Sequence, residues 1–238
     1  SRVFPGEFFA LPQSPQIYKQ LMMVAGYDKY FQIARCLPDE DLRAGRQPEF
    51  TQVDLEIAFA TEDLVFGTLE PLMDRLMRLI GREASYPFRR LPYADAVAKY
   101  GSDKPDLRCG MEIVNLSPAS EASPFPPFRS AIDAGGEVRG FVIPGAAKYS
   151  RRETDELTDQ ARQFGAAGLV WARAPEGTPQ SPALKTAGEE AIRRALEIAA
   201  CGPDDLLVMA AGKHYPTSVT LGQLRLHLAK KLNLLDPD

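Results

Sequence analysis

The sequence contains only two histidines and three cysteines in 238 residues, and each shortage removes a class of chemistry. His214 and His227 do not form a ligand-spaced cluster, so neither a zinc centre nor a histidine-based nucleophile relay can be assembled from them, and both read as polar surface or helix residues. Cys36, Cys109 and Cys201 are widely spaced and odd in number, which suits reduced thiols better than a disulfide framework. No run approaches the roughly 18 apolar residues of a membrane span, and the N-terminus lacks the apolar stretch of a signal peptide. No glycine-rich phosphate loop of the Rossmann or Walker kind is present. Charge of one sign is also lacking. The net charge of -4 and a pI near 5.4 argue against a general nucleic-acid coat, while 28 Lys and Arg still allow a local basic patch. A soluble, cytoplasmic globular protein is expected, with no membrane partner and no metal site. Its 45% hydrophobic residues are enough for one large core or two modest ones. The chain opens on Ser1-Arg2-Val3 and stops soon after a strong helix, which suggests a piece of a longer chain.

The pattern along the chain predicts an α+β fold. Ser14 and Pro15 read as an N-cap and first helical position, with Gly26 closing the helix. Tyr30 to Cys36 reads as a strand, 39–48 as a polar loop, and Phe50 to Ala60 as a second strand, together an antiparallel hairpin. In the second strand Val53, Leu55, Ile57 and Phe59 alternate with Gln52, Asp54, Glu56 and Ala58. Successive strand side chains point to opposite faces, so one face is expected dry while the other carries Asp54 and Glu56 together. Thr61 caps a helix to Gly81 whose buried stripe is expected to hold Leu69, Leu72, Met73, Leu76, Met77 and Ile80, with a bend at Pro71. A short helix over Tyr93 to Tyr100 leads into the turn Gly101 to Asp106. The Ser/Pro-rich stretch 116–128 reads as a domain boundary. Beyond it come a strand at 137–143, a helix opened by the Ser150–Glu153 capping box, a strand at 168–174, a helix at 187–200, a strand at 205–211 and a closing helix at 218–232.

One polar constellation stands out: Ser14, Gln16 and Lys19 at a helix start, Glu40 and Gln47, then Asp54 and Glu56. A helix start and an ammonium both favour a carboxylate, and the two acids suit an ammonium or a metal-bridged phosphate. Together they suit an amino acid.

At these residues a family resemblance becomes specific. The stretch Phe8 to Lys19 resembles the aspartate-binding segment of bacterial aspartyl-tRNA synthetases, class II enzymes. Tyr30 to Cys36, followed by Asp39 to Ala44 and Arg46 to Gln52, looks like their motif 2 hairpin. Tyr100 to Arg108 resembles a further signature. Gly165 to Leu169 and Leu221 to Leu226 resemble parts of their GAD insertion domain. The resemblance implies part of an antiparallel-sheet catalytic domain at 1–118, an inserted α+β GAD domain at 119–216, and a helix at 217–238 returning towards the catalytic domain. It implies ATP-dependent activation of L-aspartate and its transfer to tRNA(Asp), with ATP and Mg2+ as a substrate complex, no tightly bound cofactor, and a homodimer. Ser14, Gln16 and Lys19 would contact aspartate, Lys19 through the side-chain carboxylate. Asp54 would face its ammonium group, with Glu56 beside it. Glu40 and Gln47 would contact ATP, and Asp41, Arg43 and Arg46 would lie on the loop that approaches the tRNA acceptor end.

The departure falls at residue 38. The family pattern Cys-Phe-Arg-Asp-Glu is here Cys36-Leu-Pro-Asp-Glu40, so Pro38 stands where an arginine grips the α-phosphate and the aspartate carboxylate. A guanidinium makes bidentate, permanently charged contacts that proline cannot. Loss of one such donor costs on the order of 10²–10³ in rate. Gly45 also replaces an aspartate. The anticodon-binding domain, the motif 1 dimer helix and motif 3 have no counterpart. Two readings follow: a ligase segment that is inactive in isolation, or a non-catalytic synthetase-like module that binds tRNA or an amino acid.

Overall fold

A computed structural model describes residues 4–8, 14–37, 47, 49–83, 85–121 and 123–235. The chain is α+β and divides into two compact units, Ser1–Arg89 and Arg90–Asp238.

The first unit contains helix α1 (Gln16–Val24), strands β1 (Lys29–Cys36) and β2 (Phe50–Ile57), and helix α2 (Glu62–Leu79). Gly26, at φ 91°, takes the left-handed turn that ends α1, a conformation glycine adopts without a Cβ penalty. Pro15, not Ser14, occupies the N-cap position, without a capping side chain. The strands pair antiparallel and in unbroken register from Lys29 opposite Ile57 to Cys36 opposite Phe50, as the alternation predicts. Thr61 caps α2 by accepting a hydrogen bond from the Leu64 N–H at 3.3 Å.

Two expectations for this unit are corrected. The strand face carrying Gln52, Asp54 and Glu56 is the covered one, whereas Phe31, Ile33 and Val53 on the opposite face are 69%, 71% and 53% exposed. Helix α2 runs through Pro71 without a break, and its apolar stripe is not buried: Leu69, Met73, Leu76 and Ile80 are exposed and Leu72 and Met77 half-buried. The period correctly marks one apolar face, but nothing among the described residues of this unit supplies a surface to cover it.

The second unit is built on an antiparallel sheet of order β3-β4-β6-β5, with β3 at Val114–Asn115, β4 at Glu137–Ile143, β5 at Val170–Ala172 and β6 at Leu206–Gly212. Its helices are α3 (Tyr93–Tyr100), α4 (Ser117–Ser120), α5 (Pro126–Asp133), α6 (Arg151–Gln163), α7 (Leu184–Ala187), α8 (Glu189–Ile198) and α9 (His214–Lys231). Both sheet faces are covered. Leu206 and Val208 of β6 join Phe141, Leu157, Leu221, Leu224 and Leu228 in one core, while Leu207 and Met209 join Phe128, Val138, Ile192 and Leu196 in the other. Double-sided burial explains why β6 is a continuous apolar run, not an alternating one. The predicted Ser150–Glu153 capping box opens α6.

The Ser/Pro-rich stretch 116–128 does not separate the compact units. It holds α4 and the start of α5, and the buried Ser123 hydroxyl donates to the Ala187 carbonyl at 2.8 Å. The units divide at Arg89, so α3 and β3 belong with the second sheet, and α9 starts four residues before the expected Ser218. Its residues 217–231 pack within this same unit, through Leu221, Leu224 and Leu228. Among the described residues no helix is long and apolar enough to cross a membrane. All three cysteines are free.

Candidate functional site

The first turns of α1 place Lys19 against the covered face of the hairpin. Its Nζ lies 3.0 Å from Asp54 Oδ1 and 3.2 Å from Glu56 Oε2. The two acids stand two positions apart on β2 and therefore share a face. Gln32 sits directly opposite Asp54 in the strand register. Its amide donates to Asp54 Oδ2 and to the Pro15 carbonyl, each at 3.1 Å. Helix start, lysine, glutamine and two carboxylates thus form one connected group, as the sequence predicts for Lys19, Asp54 and Glu56. Gln32 was not legible from the strand pattern, which shows it only as one polar residue of an alternating strand; the cross-strand register is what singles it out.

The electrostatics follow from these contacts. Burial pushes the Asp54 carboxyl upward, but hydrogen bonds from Lys19 and Gln32, with the Lys19 charge, more than offset it and leave the group below its ordinary value. Hydrogen bonds to Asp54 and then Glu56 raise Lys19. Lys19 and Asp54 are therefore each held in the charged form at neutral pH, with Glu56 Oε2 beside the ammonium. That arrangement offers an ammonium donor for a carboxylate and carboxylate acceptors for an ammonium.

Ser14 and Gln16 stand exposed at the start of α1 and make no side-chain hydrogen bond among the described residues. Gln47 is exposed between the strands. Pro38, Glu40, Asp41, Arg43 and Arg46 lie outside the described residues. At the loop end of the hairpin Arg35 Nε donates to Glu49 Oε1 at 2.6 Å. Among the described residues no three His, Cys, Asp or Glu side chains cluster to hold a metal ion.

The other signature stretches meet in the second unit. The carbonyl of Phe164, next to Gly165, accepts from the Thr220 hydroxyl at 3.1 Å. Arg225, fully buried, donates to the carbonyls of Asp106 and Gly110 at 2.6 and 2.8 Å and lies over the Tyr100 ring. A Cβ on Gly101 would sit 2.0 Å from the Ser218 carbonyl oxygen, and one on Gly222 2.4 Å from that of Tyr100. These residues lock α3 and its following turn against α9.

The sequence profile of the tRNA synthetases class II (D, K and N) matches residues 1–220. The chain belongs to this family. Its relatives include proteins named aspartate–tRNA(Asp/Asn) ligase: that of Caldanaerobacter subterraneus subsp. tengcongensis is 46% identical over 237 residues, covering 99% of this chain and 40% of that protein. Those of Heliobacterium modesticaldum and Anoxybacillus flavithermus are 45% and 47% identical, covering 100% and 99% of this chain and again 40% of theirs. The chain thus spans about 40% of the length of these curated class II synthetase relatives.

Proposed function

We propose that these 238 residues carry the amino-acid half of an aspartate–tRNA ligase site. In that reaction an L-aspartate carboxylate oxygen attacks the α-phosphorus of ATP and pyrophosphate leaves. A ribose hydroxyl of the tRNA then attacks the aspartyl carbonyl and AMP leaves. The observation that carries the reading is Lys19 held between Asp54 and Glu56. Lys19 takes the substrate side-chain carboxylate and Asp54 its ammonium, with Glu56 keeping the lysine in place. Ser14 and Gln16 add contacts to aspartate from the start of α1. Glu40 and Gln47 contact ATP, which brings Mg2+ as its counterion, and Asp41, Arg43 and Arg46 approach the tRNA acceptor end. The Arg90–Asp238 unit contains the GAD insertion domain, and the complete enzyme works as a cytoplasmic homodimer.

The site has a charge deficit. Lys19, Asp54 and Glu56 carry a formal charge of −1, and aspartate is itself −1, so a further cation would complete the charge balance and favour activation. The family arginine that would supply it is Pro38 in this chain. That substitution favours a second reading, in which the chain binds without activating its amino acid. The two separate in a chimera where these residues replace the matching region of the Caldanaerobacter protein. Aspartate-dependent ATP–pyrophosphate exchange is expected to be weak and to rise, by roughly 10²-fold, on Pro38→Arg. No gain would defeat the arginine explanation and leave the binding module as the better description. The 238-residue chain alone is expected to charge no tRNA; robust charging by it would overturn the segment reading.

A further inference from the structure

We infer that Gln32 is a positioning residue of the amino-acid site: its carboxamide ties the start of α1 to the Asp54 carboxylate and keeps the third Lys19 hydrogen available for substrate. The inference rests on the aspartate reading above and deepens it.

The argument is a count of donors and acceptors. The Gln32 amide nitrogen bears two hydrogens. One reaches the Pro15 carbonyl, 17 positions away, and the other Asp54 Oδ2, 22 positions away. The Asp54 carboxylate is thereby held at both ends, Oδ2 by Gln32 and Oδ1 by Lys19. It cannot turn about its own axis without giving up one of them. A carboxylate has about four lone-pair positions, so with two in use roughly two remain for an incoming ammonium. An ammonium has three hydrogens. Lys19 spends one on Asp54 and one on Glu56, leaving a single hydrogen for a carboxylate.

Without Gln32 this division collapses. Asp54 is then free to turn both oxygens onto Lys19 and take the remaining hydrogen. The pocket would neutralise itself instead of a ligand. The contact to Pro15 adds a second consequence: the residue that orients the carboxylate also seats the helix carrying Lys19, so the two recognition groups move together.

The test uses the 238-residue chain with 13C-labelled aspartate carboxyls, as wild type, Gln32→Leu and Gln32→Glu. Two readouts are taken: the pH midpoint of Asp54, and affinity for L-aspartate against succinate, which lacks the ammonium. In Gln32→Leu the Asp54 midpoint is expected to move upward, and preference for aspartate over succinate to fall roughly tenfold, the size of one lost hydrogen bond to a charged group. Gln32→Glu, which adds a third carboxylate, should move both further in the same direction. This variant keeps the side-chain shape and decides the matter if Gln32→Leu unfolds the hairpin. An unmoved Asp54 midpoint in the folded variants overturns the Gln32 assignment, whatever the wild type binds. A wild type that does not discriminate aspartate from succinate overturns the site reading itself, and with it any substrate role for Gln32.

Discussion

Lys19 Nζ lies 3.0 Å from Asp54 Oδ1, joining residues 35 positions apart, and this contact brings helix α1 onto the strand that carries both acids. Because Asp54 is held below its ordinary value, its share of the stability is complete above the unfolded carboxyl range and is lost as pH falls through its folded value. Lys19 is raised, so its share is complete below 10.5 and is lost only as pH climbs through its own folded value.

Removing the lysine should separate recognition from folding. In the chimera with Pro38→Arg restored, Lys19→Met is expected to raise the KM for aspartate by roughly 10–100-fold, the range for a lost hydrogen bond to a charged group. The KM for ATP should change far less. Steady-state pyrophosphate exchange reads both, and an equal rise in the two constants would point to general damage.

A second prediction concerns acid. The Arg108 side chain, aided by its backbone N–H and by Arg225, holds the Asp106 carboxyl at about 2 against an ordinary 3.8, despite some burial. The group's contribution is therefore intact above about 3.8 and disappears as pH falls from there towards about 2. After solvent screening it is on the order of 1 kcal/mol. Urea titrations of Asp106→Asn and wild type should differ at pH 5 and converge near pH 2.

Backbone proximity sets a third. Gly222→Ala would press a methyl group to 2.4 Å from the Tyr100 carbonyl oxygen, where both sides are main chain and cannot yield cheaply. A loss of roughly 2–4 kcal/mol is expected, as for overpacking in a tight contact. Thermal unfolding checks it, and an unchanged midpoint would mean α3 and α9 are not tightly joined there.

The exposed strand face supplies a fourth. Phe31 and Ile33 point away from the Lys19 group, so Phe31→Thr with Ile33→Thr should lower dye binding and self-association while leaving the Lys19 and Asp54 signals in place. Sedimentation velocity and NMR together read the outcome. Movement of the Asp54 signal would show that the two faces are coupled.

Much of this was legible because periodicity reports faces. The period-two pattern at 50–57 placed Asp54 and Glu56 together, and the Ser150–Glu153 pair marked the start of α6 within a residue. What periodicity does not report is which face finds cover. The stripe on α2 and the apolar side of the hairpin are visible in sequence, yet their partner is not among the described residues of their unit. The Ser/Pro-rich stretch shows a different limit: proline at helix starts and linker proline look alike until a distant contact such as Ser123 to Ala187 shows the segment is packed. Gln32 needed register, which arises only when two strands meet.

The unbroken ladder between the strands has an evolutionary corollary. Eight paired positions set Gln32 opposite Asp54 and put Glu56 on the same strand face. On the proposed reading, a proline at position 38 removes a phosphate-gripping arginine but leaves the Gln32, Asp54 and Glu56 side chains that would select the amino acid. Such a scaffold can shed its chemistry and still keep its taste.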